Sequence, residues 1–162
     1  MASFTDDSIR IAIMLYKTNP VECLQQYGPL SEWNVIDVTD MSCLFKDMKD
    51  FNEPIYKWNM SFVTNTSYMF SGASIFNQSV NEWDMLRVID MEGMFHNTYS
   101  FNQPIDRWNI QGVTDVSNMF AEAHGFNQPI NNWVIKSTVC SDHMFINCPI
   151  DKSNLPVFEL NN

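Results

Sequence analysis

The chain has 162 residues, 45% of them hydrophobic and 14% aromatic. It is too apolar for disorder and long enough for one domain whose core needs neither disulfides nor metal. Nine Lys and Arg stand against 19 Asp and Glu, a formal charge of −10. That balance excludes a phosphate-binding surface, so no nucleic-acid partner is expected.

In chain order, Thr5 precedes Asp6, Asp7 and a run with Ile9, Ala12, Ile13 and Tyr16 on one face, the pattern of a capped amphipathic helix. Asn19-Pro20-Val21-Glu22 starts a second helix, and Tyr27-Gly28-Pro29 ends it. The apolar stretch 9–16 carries Arg10 and follows two aspartates. It is neither a signal peptide nor a membrane span, so no direct membrane insertion is expected. Without a secretion signal the expected location is intracellular or virion-associated. Cys23, Cys43, Cys140 and Cys148 are then expected to stay reduced.

From residue 33 onward the chain repeats with a period of 25. Trp33, Trp58, Trp83, Trp108 and Trp133 mark it, as do Phe45, Phe70, Phe95, Phe120 and Phe145. Phe-Asn recurs at 51–52, 76–77, 101–102 and 126–127, usually followed by Glu or Gln, Pro, and Ile or Val. A unit this short cannot bury its own apolar face, so neighbouring units must cover one another. Trp58 and Met60 alternate with Lys57, Asn59 and Ser61, the period of a strand. Thr39, Thr64 and Thr114 then read as N-caps of a short helical turn, with Met41, Leu44 and Phe45 facing inward. The Asn at each Phe-Asn corner is expected to bond backbone groups at that corner, one asparagine above another. The fold class expected is an α/β repeat solenoid, leucine-rich-repeat-like, with about five 25-residue turns. Each turn would hold a short parallel strand and a short helical turn. Residues 1–32 would form an N-terminal helical cap, 33–157 the solenoid with a degenerate last repeat, and 158–162 a tail.

The string Trp-Asn-Val-x-x-Val-Thr-Asp-Met-Ser-x-Leu-Phe from Trp33, followed by Phe-Asn-x-Pro-Ile from Phe51, resembles the BspA-type leucine-rich-repeat family. Members occur in mycoplasma and other bacterial surface lipoproteins and in protist and giant-virus proteins. The resemblance covers roughly residues 30–148. It implies a solenoid used in adhesion or protein–protein contact, and no catalytic residues. The chain departs from the surface members in having no signal or lipoprotein cysteine.

The outward positions beside each Trp are where a binding surface is expected. Glu32, Lys57, Glu82, Arg107 and Asn132 alternate in charge, which reads as pairing between neighbouring units. Tyr56 stands where other units have Ser31, Asn81, Asp106 and Asn131. Phe62 stands where others have Asp37, Arg87, Gly112 and Ser137. With Ile36 and Leu86 these form a candidate protein-binding patch. Single exposed apolar residues are equally common on ordinary surfaces.

His96, His124 and His143 occupy different repeat positions beside no nucleophile or acid pair, so no catalytic residue is assigned and no enzyme is expected. Cys140, His143 and Cys148 make three ligands at a spacing foreign to zinc sites, so neither metal nor cofactor is assigned. Two functions follow. One is a non-enzymatic scaffold binding an unidentified protein through its outward face. The other is a structural subunit of a virion or cell-envelope layer, in which self-association is possible.

Overall fold

A computed structural model describes residues 2–159. Residues 160–162 of the anticipated tail lie outside the described residues. Strand β1 (Ser3–Thr5) leads into helix α1 (Asp6–Thr18) and helix α2 (Pro20–Tyr27), and a 3-10 turn (Leu30–Glu32) leads to β2 (Asn34–Asp37). Only β3 (Val134–Ile135) and β4 (Val157–Phe158) follow. Two two-stranded parallel sheets result, β1 with β2 and β3 with β4. Between 38 and 133 there is neither helix nor strand, only turns and the isolated parallel bridges Asp40–Asn65, Asn65–Asp90 and Asp90–Asp115.

The two helices form where their capping signals stand. Ser8 N–H donates to the Thr5 hydroxyl and Thr5 N–H to the Ser8 hydroxyl, a reciprocal cap. Asn19 Oδ1 accepts from Glu22 N–H, Pro20 opens α2, and Gly28 at φ 74 closes it. Ile9, Ala12, Ile13 and Cys23 are buried.

The expected α/β leucine-rich-repeat-like solenoid, with a strand and a helical turn in each of five units, is overturned by this element inventory. The reasons are local. In the Trp segments the alternation of buried and exposed residues is present, but the backbone bonds that a sheet requires are spent elsewhere. The N–H groups of Ile36, Ser61, Leu86 and Gln111 donate to the side chains of Asn34, Asn59, Asp84 and Asn109, two residues back. Trp58 and Val63 N–H bond carbonyls three residues earlier. A chain curled by such Asx turns presents no ladder. Strands survive only where an end segment lies alongside, and β2, which carries one of these Asx bonds, is bulged in its register with β1.

The anticipated helical turns fail for a second reason. Leu44, Lys46 and Met48 N–H bond carbonyls three residues earlier, whereas Met41, Cys43, Phe45 and Asp47 N–H donate to Asn65, Ser67, Met69 and Ser71 carbonyls, 24 residues later, at 2.8–2.9 Å. The pattern recurs from Thr66–Gly72 to Asp90–His96, from Met91–Asn97 to Asp115–Ala121, and from Val116–Glu122 to Cys140–Ile146. Left-handed residues recur with it, at Cys43, Tyr68, Gly93, Asn118 and His143 and again four residues on. A helix accommodates neither feature. Thr64 and Thr114 are not N-caps: their hydroxyls donate to the Thr39 and Ile89 carbonyls, 25 residues earlier.

What the 25-residue period does produce is register between successive segments. Phe45, Phe70, Phe95, Phe120 and Phe145 stack with ring centroids 5.5–5.7 Å apart. Each of the first four also lies 4.0–4.1 Å from the Phe of its own corner. Trp58, Trp83 and Trp108 indole N–H groups donate to the carbonyls of Leu30, Ile55 and Val80. The corner asparagines bond as anticipated: Asn52, Asn77 and Asn102 Oδ1 accept from the N–H of Asn77, Asn102 and Asn127 at 2.9–3.0 Å.

Candidate interaction surface

Outward residues after each of the first four Trp are positioned by the Asx turns that follow them. Ile36 and Leu86 occupy the same turn position, two residues after Asn34 and Asp84. Leu86 is 55% exposed, Phe62 45% and Tyr56 52%, while Ile36 is half-buried. The Arg87 guanidinium carbon sits 4.8 Å from the Phe62 ring centroid. Because residues 62 and 87 are one period apart, this cation covers part of the aromatic face and draws Phe62 toward the Leu86 segment. Lys57 lies 6.0 Å from the Tyr56 ring and pairs with Glu32. Phe62 and Arg87 are thus brought together, with Leu86 the residue before Arg87. Arg87 is the member that the search for apolar residues passed over, although the period itself aligns it with Phe62.

The charged column pairs as its alternation suggested, Glu32 with Lys57 and Glu82 with Arg107. The Glu32 carboxylate raises the Lys57 ammonium above its ordinary pKa through its hydrogen bond and charge. The neighbouring column Asn34, Asn59, Asp84 and Asn109 turns back on its own backbone, each side chain accepting from the N–H two residues on. Over the fourth and fifth Trp segments, Arg107, Asn109, Gln111, Asn132 and Lys136 rim a groove of about 570 Å³ floored by Trp108 and Trp133. Trp133 Nε1 is buried without a hydrogen-bond partner.

Directly before the Met-Phe segments in the chain stands a column of Asp40, Asn65, Asp90 and Asp115, each accepting from an N–H two residues on. Burial raises the Asp90 carboxyl, the Glu92 N–H partly offsets this, and the charges of Asp115, Glu92 and Asp40 raise it further. Asp40 alone has a cationic partner here, Arg10 at 3.1 Å. Tyr68 donates to Glu92 Oε1 at 2.5 Å, and that bond, with burial and the nearby acids, pushes the phenol up to about 12.

At the amino end, α1 supplies the partners that a preceding segment would otherwise provide. Asp6 accepts from Thr39 N–H at 2.7 Å, the Thr39 hydroxyl at 2.8 Å and Asp40 N–H at 3.0 Å. Arg10 donates to the Ser42 and Asp40 carbonyls at 2.8 and 3.3 Å. Partial burial raises the Asp6 carboxyl, but the Asp40 and Thr39 bonds and Arg10 outweigh it and hold it below the ordinary carboxylate value.

Cys43 and Cys140 are exposed, Cys148 is half-buried and Cys23 is buried. Among the described residues no group of three His, Cys, Asp or Glu side chains is placed to hold a metal ion, and Cys140, His143 and Cys148 do not converge. No helix among them is long and apolar enough to cross a membrane.

Neither the curated proteins nor the solved structures contain a match to this sequence. One family model, described as "Mycoplasma protein of unknown function, DUF285", matches twice, over residues 21–85 and 57–158. The two overlapping matches carry the 25-residue units from the end of the helical segment through Phe145, and the chain belongs to that family.

Proposed function

We propose that this chain is a non-enzymatic scaffold that binds another protein through its outward surface, with Tyr56, Phe62 and Leu86 as the contact residues and Ile36 beside them. The observation that carries the reading is the Phe62–Arg87–Leu86 cluster. Two large apolar side chains there are about half exposed, as several others on the surface are, but here an arginine lies over one of the rings, while the Trp column and Phe45, Phe70, Phe95 and Phe120 lie inside. An apolar centre with an arginine beside it is the composition of a binding hot spot. The resemblance of the Trp-Asn-Val-x-x-Val-Thr-Asp-Met string to BspA-type repeats supports the same class of function.

The test compares wild type with a Tyr56→Asp/Phe62→Asp double variant as bait in extracts of the native source. Both residues are exposed, so the variant folds. The scaffold reading expects a protein retained by wild type to lose at least about tenfold in recovery with the variant, a difference near 1.4 kcal/mol. Equal recovery by a folded double variant would rule the patch out.

The second reading, a structural subunit of a virion or envelope layer, is favoured by a different observation: α1 bonds the first segment through Asp6 and Arg10, whereas among the described residues no segment bonds the Ser141, His143, Phe145 and Asn147 N–H groups of the last. Purified protein that stays monomeric at high concentration favours the scaffold. Self-association favours the subunit.

A further inference from the structure

At the carboxyl-terminal end of the stacked segments, a row of backbone donors has no acceptor among the described residues. At each earlier boundary, four alternate N–H groups donate to carbonyls 24 residues later, as Val116, Asn118, Phe120 and Glu122 do to Cys140, Asp142, Met144 and Ile146 at 2.8–2.9 Å. The corresponding groups of the last segment belong to Ser141, His143, Phe145 and Asn147. Among the described residues none of the four finds an acceptor, while Met144, Ile146 and Cys148 N–H bond within their own turns. The Phe145 ring continues the stack, 5.7 Å from Phe120 and parallel to it. Phe120 is fully buried between two rings; Phe145 is only half-buried. The closing segment does not cover this row: its bonds run from Ile130 to Asn154 and from Val157 to Trp133, over the Trp side of the preceding segment.

We propose that this edge is a docking site for a peptide segment of the chain's own repeat type. Its occupant would place four alternate backbone carbonyls on the Ser141, His143, Phe145 and Asn147 N–H groups and an aromatic ring on Phe145. The site is the continuation of an interface that the molecule already makes four times, and that interface defines the occupant's chemistry. An unpaired row of this kind is a template for an added chain. A second intact copy is the wrong occupant. On its amino-terminal edge the Asp40 and Ser42 carbonyls, half of the acceptor row, are already taken by Arg10 of α1, and its carboxyl-terminal edge offers donors to donors. The occupant is therefore a repeat-bearing segment with a free carbonyl edge.

Two measurements on the full chain decide this. Amide hydrogen exchange of the free protein should show Ser141, His143, Phe145 and Asn147 exchanging at least about tenfold faster than Val116, Asn118, Phe120 and Glu122. Slow exchange at all four would mean that the edge is already covered, and would overturn the proposal. Residues 110–134 are then appended through a flexible Gly/Ser linker, so that the high effective concentration offsets the cost of ordering the peptide. The four amides should become at least about tenfold slower. A Phe145→Asp change in the same fusion should abolish the protection, whereas Tyr56→Asp should leave it intact, which separates this edge from the outward patch. Unchanged exchange in the fusion, or protection that survives Phe145→Asp, would refute the docking site.

Discussion

Asp90 is a residue the fold tolerates against its own electrostatics. Its carboxylate is needed as the acceptor for Glu92 N–H, yet burial and the neighbouring Asp115 and Glu92 charges raise its pKa. Position 65, one period earlier, holds Asn in the same role. Asp90→Asn keeps the turn and removes the repulsion, and should stabilise the protein by several tenths to about 1 kcal/mol at neutral pH. A raised carboxyl pKa favours the folded state on protonation, so the gain should shrink as pH falls through the folded Asp90 value. Urea unfolding of both proteins at neutral and acid pH measures it; a destabilised variant would contradict the assignment. Gly93 sits at φ 55, and a Cβ there would lie 2.4 Å from the Tyr68 ring. Gly93→Ala should cost about 1–3 kcal/mol and displace the phenol from Glu92. A Tyr68 titration still raised to about 12 in that variant would show that the clash is absorbed elsewhere.

Among the elements, α1 acts through two side chains that replace a missing neighbour. Asp6 stands in for a carbonyl and Arg10 for a pair of N–H groups. Because the Asp6 pKa is depressed, its contribution is complete above the ordinary carboxylate range and is lost as pH falls through the folded value. Asp6→Ala should destabilise the cap by about 1 kcal/mol after solvent screening, with the loss confined to pH above that range. Thermal melts of variant and wild type should therefore converge in acid, and a constant gap would place the effect outside ionisation.

These helices were legible because their signals are local: Thr5 with the acidic first turn, Asn19-Pro20, and Gly28. The Phe and Trp columns and the corner asparagines were legible because an unbroken period aligns them. The conformation of the unit was not. Met41, Leu44 and Phe45 face inward at three- and four-residue spacing in a series of tight turns just as they would in a helix, so periodicity alone does not separate the two. The distinguishing signal lay in the column Asp47, Gly72, Asn97, Glu122 and Asn147, mostly residues that accept a left-handed backbone. Likewise the Asn or Asp after each of the first four Trp, an Asx acceptor that takes the N–H two residues on and so breaks a strand, was in plain view. Of the candidate surface, Tyr56, Phe62 and Leu86 were visible as breaks in their columns, while the cover that Arg87 gives Phe62 depends on where its flexible side chain settles.

At the scale of the molecule, the stacked rings and the 24-residue hydrogen bonds act together. Phe95 lies between Phe70 and Phe120 and is fully buried, so Phe95→Ala should cost about 3–5 kcal/mol. Phe145→Ala, at the open end, should cost clearly less. Equal costs, read from urea midpoints, would mean that the last segment is as enclosed as the middle ones. The same open end gives the chain one face for a repeat-bearing segment, distinct from the face around Phe62 and Leu86 that would take an unrelated partner.

The central claim is that successive 25-residue segments are joined by backbone bonds to one another and not by helices or strands within each unit. Hydrogen-bond scalar couplings in NMR report it directly. The amides of Phe45, Phe70, Phe95 and Phe120 should couple to the carbonyl carbons of Met69, Met94, Met119 and Met144. Coupling instead to Met41, Thr66, Met91 and Val116, four residues earlier, would restore the helical unit and contradict the account.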